Sequence, residues 1–199
     1  MRYLFCLLLQ VFFFSFIINY DSYAHSLTNN SNGFGSGFSH PILGLDHFLA
    51  MLAVGIWGAQ MGGKQIWSLP ISFPIIMCIG AIISISNIFI LCYEEYIIAF
   101  SVIILGLFIF CEWKTNELIA ILIISFIAIF HGYAHGSEIP KAIDPKSFII
   151  GFVISTGLIH LVGIFLGYTL IYIYKGLISK LLGIFIFITG IYLFVSLYL

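Results

Sequence analysis

The sequence predicts an all-α fold, a polytopic bundle of membrane helices, and two observations carry that expectation. Of the 199 residues, 62% are hydrophobic and 8% charged, with a mean hydropathy of +1.17. A soluble domain carries roughly 25% charged and about 45–50% apolar residues. The apolar residues are also gathered into segments close to the roughly 20 residues a helix needs to cross a bilayer core. Backbone groups in lipid must be paired within their own segment, which selects helices. A net charge of −1 and the lack of a basic patch give no footprint for nucleic acid.

Taken in order, residues 1–24 read as a signal peptide: Arg2, an apolar stretch, then a polar segment with Ser22 and Ala24 at the small −3 and −1 positions. Cleavage there starts the mature chain at His25, outside the cytoplasm; an uncleaved anchor is the alternative, because the apolar run is long. Residues 26–39 are rich in Gly, Ser and Asn and read as an extracytoplasmic loop. Six spans follow, near 41–61, 68–92, 96–111, 116–135, 147–173 and 177–198, making one transmembrane domain over 25–199. Lys64, Lys114, Lys175 and Lys180 fall on one side of this arrangement, and Lys141 and Lys146 on the other. The positive-inside rule places the first group in the cytoplasm. Trp57, Trp67 and Trp113 sit near those cytoplasmic ends, as interfacial anchors do. Cys6, Cys78, Cys92 and Cys111 form no C-x-x-C pair, so packing is their expected role.

The chemistry lies in the ionisable residues within the spans. His40 and His47 are seven apart at the start of the first span, two turns of one helix, with Asp46 beside them. His131 and His135, near the end of the fourth span, are i and i+4 and share a face; Glu138 extends that stripe. The spacing resembles the histidine pair of zinc proteases, but the intervening Glu is absent, which disfavours hydrolysis. Single polar residues can serve helix packing, as Gln60 and Asn87 could; His160 in the fifth span reads either as an inter-helix hydrogen bond or as an additional candidate metal ligand. Several together in apolar spans point to function, because ionisable groups in a membrane are costly. Imidazole and carboxylate donors suit Ni²⁺, Co²⁺ or Zn²⁺. Glu94 and Glu95 open the third span, either as helix N-terminal residues or as an acidic mouth for cations.

The segments HPILGLDHFLAMLAVGIWGAQMGG (40–63) and FHGYAHGSEIP (130–140) resemble the two signatures of the HupE/UreJ family of nickel/cobalt permeases. The third-span stretch from Glu95 to Gly106 and the fifth-span stretch from Thr156 to Gly163, which includes His160, are also similar. The resemblance implies secondary transport of Ni²⁺, or Co²⁺, across a bacterial inner membrane in support of hydrogenase or urease maturation. It places functional weight on His40, Asp46, His47, His131, His135 and Glu138, and favours Glu95 over Glu94. It implies no prosthetic group; the divalent ion is the substrate, the bilayer the other partner, and homo-oligomerisation stays open. His25 is a further candidate: as a free N-terminus it would offer amine, amide and imidazole to Ni²⁺ and hand the ion to His40. Imidazoles ligate when neutral, so uptake is expected to fall below about pH 6.5. The rival expectations are a membrane-embedded metal-dependent enzyme on the same ligands, a haem protein with axial histidines, and a structural subunit.

Overall fold

The computed structural model describes residues 33–87, 91, 93–138, 144–174 and 176–198, with the side chains of residues 137, 138 and 172–174 outside that description. The expected signal at 1–24, His25 and the Glu138 side chain thus lie outside the described residues. Within them the regular structure is helical throughout: α1 (Gly33–Leu43), α2 (Leu45–Met61), α3 (Gln65–Ile85), α4 (Glu94–Phe110), α5 (Glu117–Glu138), α6 (Pro145–Tyr174) and α7 (Leu177–Ser196). Each expected apolar segment holds one of α2 to α7. Helices α3, α5, α6 and α7 are long and apolar enough to cross a bilayer, and α1 with α2 adds a fifth if that bent pair is one span. Helix α4 has 17 residues, about 25 Å at the usual rise per residue. The outward stripe of α3, Ile71, Ile75, Ile79 and Ile82, is 46–61% exposed, an apolar exterior suited to lipid. This is an all-helical membrane protein.

Five expectations need correction. The expected loop at 26–39 gives way, from Gly33, to helix α1, which carries His40 and has Pro41 within it. Its glycines explain this: a methyl at Gly37 would strike the Phe148 carbonyl, and one at Gly151 the Phe34 carbonyl, so α1 can lie backbone to backbone on α6. His40 and His47 therefore do not share one helix. The chain breaks at Gly44, where the backbone is extended, and α2 departs from α1 at 76°. The second span is shorter than expected, because α3 ends at Ile85; Asn87, left-handed with φ of 52°, is exposed past its end, as αL-tolerant residues often are. Trp57 is no interfacial anchor. It is fully buried, donates its indole N–H to the Trp113 carbonyl at 2.9 Å and stacks on that ring at 5.7 Å. Cys111 is exposed, not packed away.

Close approach of helix backbones sets the geometry of the bundle. A methyl on Gly80 or Gly132 of facing helices α3 and α5 would meet the other helix's backbone, as it would on Gly106 and Gly183 of α4 and α7, and on Gly55 and Gly163 of α2 and α6. Small residues at membrane helix interfaces permit such contacts and the dispersion they bring. Gln60 ties three helices: its amide donates to the Ile109 carbonyl at 3.1 Å and the Ser179 hydroxyl at 2.7 Å. At the same end, Lys180 pairs with Glu112 at 3.7 Å. This end also carries Lys64 and Lys114, and the start of α2 lies at the other. There Asp144 precedes α6; a hydrogen bond from the Ser147 hydroxyl and one from the Lys146 backbone N–H hold its carboxyl below the usual range.

Candidate metal site

The bend at Gly44 brings the first turn of α2 against the last turns of α5, with α1 above them. Asp46, in that first turn of α2, accepts the backbone N–H of His47 at 2.8 Å and its ring Nδ1–H at 2.6 Å. A carboxylate only accepts, so His47 carries its proton on Nδ1, and buried Nε2 is the lone-pair nitrogen. A carboxylate behind an imidazole is the usual arrangement for orienting a metal-binding histidine and raising its basicity.

Around His47 three more imidazoles gather. Ring centroids lie 5.9 Å away for His40, 5.3 Å for His131 and 4.3 Å for His135; His40 and His135 are 4.8 Å apart. His131 is fully buried. Its Nδ1–H donates to the Ile127 carbonyl at 3.0 Å, one turn back, so Nε2 is its lone-pair nitrogen; that atom is buried with no hydrogen bond. The i, i+4 pair on α5 and the α1–α2 pair thus face each other in one polar cluster inside an apolar bundle. Its walls are aromatic: Phe152 of α6 packs on His135 at 4.1 Å, and Phe73 of α3 meets His131 edge-on at 5.5 Å.

The rings contact one another edge-on or tilted. Among the described residues, no three His, Cys, Asp or Glu side chains are placed to hold a metal ion as they stand; ring rotation would be needed to turn the lone pairs onto one point. Two candidates lie outside the cluster. Glu95 is exposed in the first turn of α4. His160 is buried on α6, on the other side of Phe73 from His131, at 5.3 Å from that phenyl ring.

Comparison with known proteins bears on the whole of this arrangement. The model of a family described as HupE / UreJ protein matches residues 14–193. The chain belongs to the HupE/UreJ family. Protein HupE of Rhizobium leguminosarum bv. viciae is 38% identical over 135 residues, 68% of this chain and 70% of that protein. No solved structure matches. The HupE/UreJ match covers every residue of the imidazole cluster and also reaches Phe73 and His160.

Sequence reasoning missed Phe73, Phe148 and Phe152, because an aromatic residue in an apolar span carries no signal of its own. One signal at Phe73 was available. It lies between Pro70 and Pro74, both inside α3, and a proline in a helix removes a backbone donor. Gln60, weak as a functional signal, is explained as a tie between helices.

Proposed function

We infer that this chain is a permease that moves Ni²⁺, with Co²⁺ as the nearest alternative, through the bundle in support of metalloenzyme maturation. The observation that carries the reading is the meeting of four imidazoles from α1, α2 and α5, one of them fixed by Asp46, within an apolar bundle. Buried ionisable groups in membrane helices mark ion pathways by default, and nitrogen with oxygen donors suits this class of ion. Membership of the HupE/UreJ family agrees with it.

In this reading α2 to α7 are the six spans, Lys64 and Lys114 face the cytoplasm of a bacterial inner membrane, and the cluster opens to the other side. The ion exchanges water for imidazole nitrogen as the rings turn from packing on one another to facing it. Glu138 adds a carboxylate, and Glu95 gathers cations at the mouth. A site must hold the ion well enough to strip water and loosely enough to release it. Inward movement of a 2+ ion down a negative-inside potential gains roughly 4.6 kcal/mol per 100 mV, at about 2.3 per charge.

The test is uptake of radiolabelled nickel by proteoliposomes holding the purified chain, with and without an inside-negative potential. Saturable uptake that the potential accelerates and His47→Ala abolishes is the expected result. Vesicles no more permeable to nickel than protein-free ones would overturn the assignment.

A further inference from the structure

Inward of Phe73 lies a second group of polar atoms that packing alone does not explain. On α6, Ser155, Thr156 and His160 are each no more than 1% exposed. Both ring nitrogens of His160 and the hydroxyl oxygens of Ser155 and Thr156 are buried with no hydrogen bond. Serine and threonine in a membrane helix commonly bond the carbonyl one turn back; these two do not. Thr156 and His160 are i and i+4, so they share a face.

The opposing helix supplies an oxygen. Pro70 and Pro74 both lie inside α3. Pro74 has no N–H, so the Pro70 carbonyl lacks the donor a helix normally provides four residues on. The His160 ring lies beside that carbonyl, outside hydrogen-bond geometry. Helix α2 packs on the backbone of α6 at the same level, since a methyl at Gly55 would strike the His160 carbonyl. One imidazole, one hydroxyl and one released carbonyl therefore lie buried where α6 packs on α2 and α3. Phe73 stands between His160 and His131, edge-on to both rings.

We propose that His160, the Thr156 hydroxyl and the Pro70 carbonyl form a second station for the transported divalent ion, on the cytoplasmic side of Phe73. The proposal rests on the permease reading and adds to it the site from which the ion leaves. The donors are neutral, without the carboxylate that backs His47, so this station holds the ion less tightly than the outer cluster. That order suits inward release. Carbonyls freed by interrupted helices serve as cation ligands in other transporters.

The test uses the full chain in lipid nanodiscs for equilibrium nickel binding and in proteoliposomes for uptake. Wild type is expected to bind two ions per chain, one more weakly. His160→Ala is expected to lose the weaker ion, keep the tighter one and slow uptake at least tenfold. Thr156→Val, which preserves shape, should weaken the same ion and guards against a His160→Ala chain that fails to fold. His160→Cys should make uptake more sensitive to Cd²⁺ than wild type, because thiolate favours softer ions; a merely structural histidine would not move ion preference. Unchanged stoichiometry and uptake rate in folded His160→Ala and Thr156→Val, with wild type transporting, would overturn the inner station alone. A wild-type chain that neither binds nor admits nickel would overturn the permease reading as well.

Discussion

Asp46 and His47 are neighbours in sequence and partners in space, their side chains joined at 2.6 Å. The bond fixes which nitrogen of His47 keeps its lone pair. Asp46→Asn keeps the shape and removes the charge, and its amide can meet either tautomer. Nickel uptake is expected to fall about 10- to 100-fold, the usual loss when the partner behind a metal-binding imidazole is removed. Initial uptake rates at matched protein levels check this; a rate equal to wild type would mean that the carboxylate does not orient the ring.

Gly44 offers a gentler way to disturb the same pair. Its backbone angles suit any residue, with φ at −78°, but a methyl there would sit 3.2 Å from His47 Nδ1 and 3.3 Å from Asp46 Oδ1. Gly44→Ala is therefore expected to fold and melt like wild type yet transport more slowly, with a smaller loss than Asp46→Asn. Thermal melting in detergent alongside uptake separates the two effects. A loss of melting temperature that parallels the loss of uptake would count against the local explanation.

The glycines themselves divide into two kinds. A methyl at Gly132 would run into the Met77 carbonyl, whereas one at Gly157 meets nothing within 4 Å. Gly132→Ala is expected to destabilise the chain by about 1–3 kcal/mol, the ordinary range for overpacking, and Gly157→Ala to leave stability unchanged. Melting temperatures of the two variants, read side by side, decide the matter.

Much of the bundle was legible because lipid imposes one rule on long apolar segments. Helices α2 to α7 each fall within or near a segment that the rule marks out. The ionisable residues were legible for the same reason, since their cost in such segments singles them out. What escaped was decided by contacts between distant parts of the chain. The seven-residue spacing of His40 and His47 suggests one helix, yet Gly37 and Gly151 let α1 lie on α6, and the chain turns at Gly44. Trp57 looks like an interfacial residue until Trp113, 56 positions later, covers it. Phe73 matters only because His131 and His160 arrive on either side of it.

Close glycine contacts weld α4 to α7, α3 to α5, and α6 to α1 and α2, while Gly58 of α2 also approaches the Gln65 carbonyl at the start of α3. The cluster straddles the seam between the last two of these blocks. His131, His135 and Phe73 belong to one block, and His40, His47 and His160 to the other. Neither block owns all of these imidazoles, so the cluster exists only while the two are apposed, and a slight parting along the seam would separate His47 from His135 without disturbing any glycine contact within either block.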